Sequence, residues 1–227
     1  MKKTLYSEAA YLLGIIALAF GTALMERADF GVSMVVAPAY LVYLKVSETF
    51  SWFTFGMAEY CLQALLIVLL AIVMKGFRKK YLFSFFTAVI YGITLDIMMN
   101  AVSFVPGEGI SVRMIFYVLG LLFCAIGVSM FFHSYISPEA YEMFVKEIAG
   151  RYGFDINKTK TVYDCTSCAI AIVLSFIFFG FMHFEGVKAG TIICALVNGH
   201  TIGICSMVIE KRYEIKDRFP LRNCFDQ

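Results

Sequence analysis

Charged residues are scarce in this sequence: aspartate, glutamate, lysine and arginine make up 16% of its 227 residues. A soluble domain of this length carries about 25% charged residues. Hydrophobic residues instead account for 60% of the chain, and the mean hydropathy is +0.78. A 25.5 kDa globule cannot bury so much apolar surface, so a large part of it has to face lipid. This composition excludes a soluble globular protein and indicates an integral membrane protein.

Signatures of nucleic-acid binding and of catalysis are also lacking. The net charge is only +2, and no arm or stripe of basic residues is present to hold nucleic acid. The chain contains no G-x-S-x-G, H-E-x-x-H or P-loop motif, and its three histidines, His133, His183 and His200, have no metal-ligand spacing. We therefore expect no enzyme activity, no cofactor and no metal site. The expected partners are membrane lipid and a small-molecule or ion substrate, and a homo-oligomer stays open.

The cysteines do not indicate a redox or zinc site. Of the seven, all but Cys224 lie within apolar runs. Cys165 and Cys168 form a C-x-x-C, but a zinc site of this kind needs a second cysteine pair, which the sequence does not have. Free cysteine packs as a small hydrophobic residue, and we expect these cysteines to pack in that way.

Six apolar runs are long enough to cross a membrane, which takes about 20 mostly apolar residues. The runs are Ala9–Met25, Trp52–Met74, Tyr81–Val105, Val112–His133, Thr161–His183 and Val187–Ile209. The first run ends in Glu26 and Arg27 without the small-residue cleavage site of a signal peptide, so we interpret it as an uncleaved helix. The sequence therefore predicts an all-α, polytopic membrane helix bundle with six transmembrane helices.

Lysine and arginine are concentrated in four segments that lie on one side of the membrane if there are six spans. These segments are the N-terminus, the loop 75–80, the segment 146–160 and the tail after Ile209. The loops 106–112 and 183–188 together contain a single lysine. Because basic loops are retained in the cytoplasm, this asymmetry predicts that both termini are cytoplasmic.

The two halves of the chain resemble each other at a nearly constant spacing. The matched pairs, 104 to 107 residues apart, are Gly14 with Gly120, Gly21 with Gly127, Ser33 with Ser137, Cys61 with Cys165 and Gly92 with Gly199. We infer a first three-helix repeat over residues 1–105, a second over 106–211 and a cytoplasmic tail over 212–227. An odd number of spans per repeat inverts the second copy, and inverted repeats build many secondary transporters around a site near the midplane.

Each repeat has an irregular segment after its first helix, over residues 29–46 and 137–151. In the second segment, Ser137 is placed to be the helix N-cap and Pro138 the first helical residue. The polar face of that helix would carry Glu142, Lys146 and Glu147. Two arrangements fit the pattern, a helix lying flat on the membrane surface and a re-entrant helix. A re-entrant pair implies a cavity, because non-helical backbone at depth has to be covered by protein or water.

One of these segments also resembles a known family. Residues 27–33 read Arg-Ala-Asp-Phe-Gly-Val-Ser, which is similar to the R-A-x-(L/F)-G-x-S-P segment of YczE/YyaS/YitT-type bacterial membrane proteins. Further matches, closest to the YczE branch, are Gly92, Asp96, Asp164, Gly190, Thr191 and Gly199. Met34 and His200 stand where that branch has prolines. The resemblance implies a multi-pass protein of the bacterial plasma (inner) membrane, and it implies no particular substrate.

Ionisable side chains inside a span are candidate functional residues, because placing one there costs at least about 2.5 kcal/mol. Asp96 is the strongest candidate, and Asn100 lies on the same helix face four residues later. Asp164 and Glu59 take nearly equivalent positions in the two halves, as symmetric ends of one pathway would. The alternative for Asp96 is structural pairing with a neighbouring helix. For Glu59 and Asp164 the alternative is an interfacial position.

Other polar residues complete the set of candidates for substrate or ion binding. They are Arg27, Asp29, Ser33, His133, Ser137, Asn198, His200 and Thr201. Exposed helix ends and packing between helices are the alternatives. We expect the third and sixth spans to line any cavity, through Asp96, Asn100, Asn198 and Thr201.

The leading functional hypothesis is a transporter or permease-like protein for a small molecule or ion, with a site between the two repeats. The alternative is a non-transporting membrane scaffold or regulator that acts through its cytoplasmic loops and tail. A wet central cavity favours the first, and a solid core favours the second.

Overall fold

The computed structural model describes residues 3–105, 109–180 and 187–219, except for the side chain of Asn157. The described elements, in chain order, are β1 (Lys3–Tyr6), α1 (Ser7–Ala28), α2 (Ala37–Ser47), α3 (Phe55–Val73), α4 (Lys79–Ser103), α5 (Ile110–Phe132), α6 (Ala140–Tyr152), α7 (Ile156–Phe179), α8 (Ala189–Arg212) and β2 (Tyr213–Lys216). Helices α1, α3, α4, α5, α7 and α8 are long and apolar enough to cross a membrane, and they coincide with the six predicted runs. The predicted end of the fifth run, His183, lies outside the described residues. The protein is an all-α, multi-pass integral membrane protein.

Helices α1 and α5 cross closely at glycines. Gly14 lies against Gly127 and Gly21 against Gly120, so the two helices run antiparallel. A Cβ atom at Gly21 would lie 2.6 Å from the Gly120 carbonyl oxygen, closer than real Cβ atoms come. The predicted position of these glycines at a close crossing is confirmed. A shift by the repeat spacing of 106 residues takes Gly14 to Gly120 and Gly127 to Gly21, so it turns the first contact into the second. An inverted repeat is expected to do this, and the repeat itself stays a prediction.

The two irregular segments turn back into the bundle. Before α2, the Met34 carbonyl accepts a hydrogen bond at 2.9 Å from the hydroxyl of Ser167, which lies in the middle of α7. At the start of α6, the Ala140 N–H donates at 3.0 Å to the side chain of Gln63, in the middle of α3. The N-termini of α2 and α6 therefore lie at the depth of the middle of the spans. Of the two arrangements that the sequence leaves open, these contacts fit re-entrant helices.

Helix α6 begins later than the sequence predicts. Glu139 occupies the N-cap position, so the predictions of Ser137 as the cap and Pro138 as the first helical residue are wrong. The reason is that this stretch lies inside the bundle, where α4 holds its backbone. The Ser84 hydroxyl of α4 donates to the Pro138 carbonyl at 2.7 Å.

The polar face of α6 is mostly turned inward. Glu142 and Glu147 are buried, whereas Lys146 is exposed, so the prediction of one shared polar face does not describe this helix. The reason is again its place in the bundle, since α6 packs against α3, α4 and α7. Glu147 is paired with Lys80 at 2.5 Å and Arg78 at 3.0 Å. Glu142 instead faces the interior.

A short parallel sheet joins the two ends of the described chain. Strand β1 pairs with β2 from Lys3 opposite Tyr213 to Tyr6 opposite Lys216. The sequence predicts a tail over 212–227, and the first part of it is this strand; residues 220–227 lie outside the described part. The pairing places the start of α1 and the end of α8 on one side of the bundle, as an even number of spans requires.

Candidate functional site at the centre of the bundle

Five buried charged side chains gather between the two re-entrant N-termini. They are Glu59 on α3, Glu139 and Glu142 at the start of α6, and Lys160 and Asp164 on α7, and none is more than 4% exposed. Charged side chains are almost never fully buried unless they are paired, because an isolated buried charge is strongly unfavourable. The partners of these five side chains therefore decide what the cluster does.

Gln63 links two of the carboxylates. Its amide nitrogen donates to Glu139 Oε2 at 3.0 Å and to Glu59 Oε2 at 3.5 Å. The Tyr141 hydroxyl donates to the same Glu59 oxygen at 2.9 Å. The amide orientation is fixed, because the Gln63 carbonyl accepts from the Ala140 N–H. Two carboxylates thus share one neutral amide, and none of these contacts supplies a positive charge.

Lys160 joins the other two carboxylates. Its Nζ lies 3.1 Å from Asp164 Oδ1 and 3.4 Å from Glu142 Oε1. Asp164 is one turn further along α7, and Glu142 lies on α6, so the lysine bridges two helices. In the described part of the chain, Lys160 is the only basic side chain that is buried. Four carboxyl groups therefore share one resident cation.

Several oxygens of the cluster and of the neighbouring Asn198 have no hydrogen-bond partner among the described residues. They are Glu59 Oε1, Glu139 Oε1, Glu142 Oε2 and Asn198 Oδ1. A buried polar group without a partner costs about 1–3 kcal/mol. An ionised carboxylate or an amide oxygen only accepts hydrogen bonds, so in that state a ligand that satisfies these atoms has to be a proton, donate hydrogen bonds or carry positive charge.

A small cavity is lined by three of these residues, Glu139, Glu142 and Asn198, together with apolar side chains. Its volume, counted as the space available to the centre of a water molecule, is about 20 Å³. Its polar lining includes Ser33, Glu139, Glu142, Lys160 and Asn198. One water molecule needs roughly 10–15 Å³ measured in this way. The cavity therefore fits a single ligand of about the size of water.

Glu139 lies outside the six spanning helices and is fully buried. Burial raises the pKa of Glu139 well above the ordinary glutamate range, and the nearby Glu142 and Glu59 carboxyl groups raise it further. The hydrogen bond from Gln63 opposes this effect only in part. Glu139 therefore keeps its proton at pH values where an exposed glutamate has lost it.

Four of the sequence-predicted candidates belong to this cluster. Ser33 and Asn198 line the cavity, and Glu59 and Asp164 supply carboxyl groups. The two acids are at most 1% exposed, so the interfacial alternative is wrong for both. They meet at one centre instead of marking two ends of a pathway. Ser137 is buried but does not line the cavity, and its backbone carbonyl accepts from Thr87 of α4.

Asp96 lies away from the cavity and caps helix α3. Its Oδ2 accepts from the Thr54 hydroxyl at 2.7 Å and its Oδ1 from the Gly56 N–H at 2.9 Å. A carboxylate at a helix N-terminus satisfies a free N–H group and interacts favourably with the helix dipole. Asn100 is exposed and donates to the Asp96 backbone carbonyl. The predicted cavity lining by these two residues is wrong, and the structural alternative describes Asp96.

We expect Asp96→Ala to lower the melting temperature of the detergent-purified protein. Loss of a helix cap costs about 0.5–2 kcal/mol, or roughly 1–8 °C for a chain of this length. Asp96→Asn keeps an acceptor oxygen and should lose less. Asn100→Ala, one turn away and exposed, is the control and should leave the melting temperature unchanged. An unchanged melting temperature for Asp96→Ala would argue against the capping role.

Two further candidates, Arg27 and Asp29, contact other segments of the chain near the end of α1. Exposed Arg27 donates to the Val105 carbonyl at 3.1 Å. Asp29 follows the last residue of α1 and pairs with Arg113 at 2.8 Å and with Lys188. The two basic partners come from the starts of α5 and α8. Asp29 therefore ties three helices together on this side of the bundle.

The last three candidates also lie away from the cavity. His133 follows α5 and contacts the Ser129 carbonyl at 2.8 Å and the exposed Glu210 at 3.1 Å, which fits its helix-end alternative. Thr201 donates to the carbonyl of Val197 on its own helix, so the prediction that it lines the cavity is wrong. His200 is exposed, in an outward-facing groove along α7 and α8.

Sequence reasoning missed three charged members of the cluster. Glu139 is not among the predicted candidates, Glu142 is predicted only to lie on the polar face of its helix, and Lys160 is predicted to belong to a basic cytoplasmic segment. One signal was available, because Lys160 and Asp164 are four residues apart and of opposite charge at the start of an apolar run.

In the described part of the chain, no three histidine, cysteine, aspartate or glutamate side chains are arranged to hold a metal ion.

Comparisons with known proteins identify the family. No curated protein and no solved structure gives a significant match. The model of one family, DUF6198, matches residues 5–207, nearly the whole chain. The chain belongs to DUF6198, a family of unknown function.

Proposed function

We propose that this protein is a transporter that carries a small cation across the membrane and binds it in the central cavity. The observation that supports this proposal is the set of buried acceptor oxygens without partners among the described residues, on Glu139, Glu142 and Asn198, beside a small cavity with polar and apolar lining. A proton or a cation satisfies such oxygens, whereas an anion is repelled by them. The excess of acidic over basic side chains in the cluster favours the same charge.

The size of the cavity narrows the class of ligand. A volume of about 20 Å³ suits one particle of the size of water. Hydronium, ammonium, lithium, sodium and potassium ions are of this order, whereas choline and amino acids are far larger. The cavity is lined by two carboxyl groups, Glu139 and Glu142, and Lys160 already compensates Glu142, so we infer a monovalent inorganic cation or a proton as the transported species.

Ion pairs on both sides of the cavity support alternating access. On one side Asp29 is paired with Arg113 and Lys188. On the other side Glu147 is paired with Lys80 and Arg78. In alternating access one side opens while the other stays closed. Separation of either set of ion pairs is the local change that would open that side.

We also propose that the bundle consists of two inverted three-helix repeats, residues 1–105 and 106–211. Besides the exchanged glycine contacts, a pair of tyrosines supports this. The hydroxyl of Tyr11 on α1 lies 2.8 Å from Thr87 Oγ1 on α4, and the hydroxyl of Tyr117 on α5 donates to the Gly190 carbonyl on α8. The two tyrosines are 106 residues apart, which is the spacing of the repeat.

The proposed location is the plasma membrane of a bacterium, with both termini in the cytoplasm. The basic residues of the segments on that side support the orientation. The resemblance of residues 27–33 to YczE/YyaS/YitT-type proteins supports the bacterial location.

Thermal stability and ion flux of the purified protein test the proposed function. We expect lithium, sodium, potassium or protons to be taken up by liposomes that contain the protein faster than by empty liposomes. The same ion should raise the melting temperature in detergent at constant ionic strength, with choline as the control. A ligand at 100 times its Kd stabilises the folded state by about 2.7 kcal/mol. Neither uptake nor stabilisation with any of these ions would contradict the proposal and favour the scaffold alternative.

A further inference from the structure

The resident lysine of the cluster has the geometry of a bound cation. The ammonium group of Lys160 lies between Asp164 at 3.1 Å and Glu142 at 3.4 Å, and 5.6 Å from the centre of the Tyr163 ring. Two carboxylates and an aromatic face are the surroundings that proteins give to small cationic ligands. The Lys160 side chain also lines the cavity itself. A free cation that entered the cavity would therefore meet the Lys160 side chain and the Glu142 carboxylate that it contacts.

Lys160 also leaves acceptor positions unused. Lys160 contacts Oε1 of the Glu142 carboxylate, and the other oxygen, Oε2, has no partner in the part of the chain that the structure describes. The cavity has room for about one particle of the size of water. A second positive charge beside the ammonium group would be repelled strongly, because charges interact strongly where water is excluded. The ammonium group and a free cation therefore compete for the same carboxylates.

We propose that Lys160 is a tethered counter-ion that occupies the cation site of the unloaded protein and leaves it when the transported cation binds. This inference rests on the proposed function, since it assigns the state of the same site without substrate. A buried carboxylate that loses its partner destabilises the fold. The tethered ammonium group keeps Glu142 and Asp164 compensated while the site is unloaded, and its return displaces the bound cation.

Removal of the lysine tests this competition by chemical rescue. Lys160→Ala leaves both carboxylates without a cation and frees the volume of the side chain. We expect a lower melting temperature in choline chloride, restored by millimolar ammonium or ethylammonium chloride but not by tetramethylammonium chloride. We also expect the cation concentration at half-maximal stabilisation to fall about tenfold or more below that of the wild-type protein, because the tethered competitor is gone.

Matched variants separate this role from a structural one. Lys158→Ala removes an exposed lysine two residues earlier on the same helix and should change neither the melting temperature nor its response to cations. Lys160→Gln keeps the length and hydrogen-bonding capacity of the side chain, so it serves if the alanine variant does not fold. Lower stability of Lys160→Gln that no small cation restores would overturn the inference, as would weaker cation binding than in the wild type. Tight binding to the variants without flux through the wild type would overturn the transport proposal alone.

Discussion

Replacing Glu139 with glutamine is expected to raise the melting temperature and to abolish cation uptake into liposomes. The carboxyl group is fully buried, shares one amide with Glu59, and has an oxygen without a partner. Glutamine has the same shape and no charge, and its amide hydrogens face a surrounding rich in acceptors. Stability therefore rises, whereas a site that needs the carboxylate for its cation loses activity.

The effect of this substitution should grow with pH. Because burial raises the pKa of Glu139, the folded protein keeps a proton that the unfolded chain releases above the ordinary glutamate pKa. The wild-type protein thus loses stability as pH rises, by up to about 1.4 kcal/mol per pH unit until the folded-state pKa is reached. The glutamine variant is free of this loss, so its advantage should be larger at pH 8 than at pH 5.

Glu147→Gln is the matched control for Glu139→Gln. Glu147 is also a buried glutamate of α6, but both Lys80 and Arg78 are paired with it. Neutralising it leaves two basic groups without their partner, so the melting temperature should fall. Equal shifts in the same direction for the two variants would contradict the proposed difference between a compensated and an uncompensated carboxyl group.

Gly21→Ala is expected to be strongly destabilising. The added Cβ would lie 2.6 Å from the Gly120 carbonyl oxygen and 2.7 Å from the backbone nitrogen and the sulfur of Cys124. Two of these three atoms are backbone, so α1 and α5 have to separate. Overpacking of this kind costs about 1–3 kcal/mol, or roughly 2–12 °C in melting temperature for a chain of this length.

Gly203→Ala on α8 is the control for Gly21→Ala. Gly203 also lies within a spanning helix, but a Cβ added there meets no atom within 4 Å. Since alanine favours the helix more than glycine does, this variant should be as stable as the wild type or slightly more stable. Similar melting temperatures for the two variants would show that the crossing of α1 and α5 tolerates a wider separation.

Hydropathy was sufficient to predict the six spans, because lipid exposure imposes the same apolar requirement along a whole helix. The glycines at the α1–α5 crossing were predictable for a related reason. A side chain larger than hydrogen is excluded there, and the sequence accordingly has glycine at both positions in each half, at the repeat spacing. The depth of the segment before α6 was not predictable, since Glu142 and Glu147 show the same amphipathic pattern whether the polar side meets water or a buried cluster.

Asp96 shows why an acid in an apolar run does not by itself locate a binding site. Its carboxylate is satisfied by Thr54 and Gly56, which belong to another helix 40 or more residues earlier in the chain. Lys160 shows the converse. It was counted with a basic loop, and only the packing of α6 against α7 places its ammonium group between two buried carboxylates. The role of Asp96 and the link from Lys160 to Glu142 both depend on contacts between helices that hydropathy and spacing do not encode.

The parallel strands β1 and β2 set an order of events during synthesis. Tyr6 and Tyr213 are more than 200 residues apart, so the first strand leaves the ribosome roughly 10–40 s before its partner at 5–20 residues per second. During that interval β1 has no partner strand, and the sheet closes only after α8 has been made. Pairing of the strands therefore marks a chain whose six spans have all been synthesised.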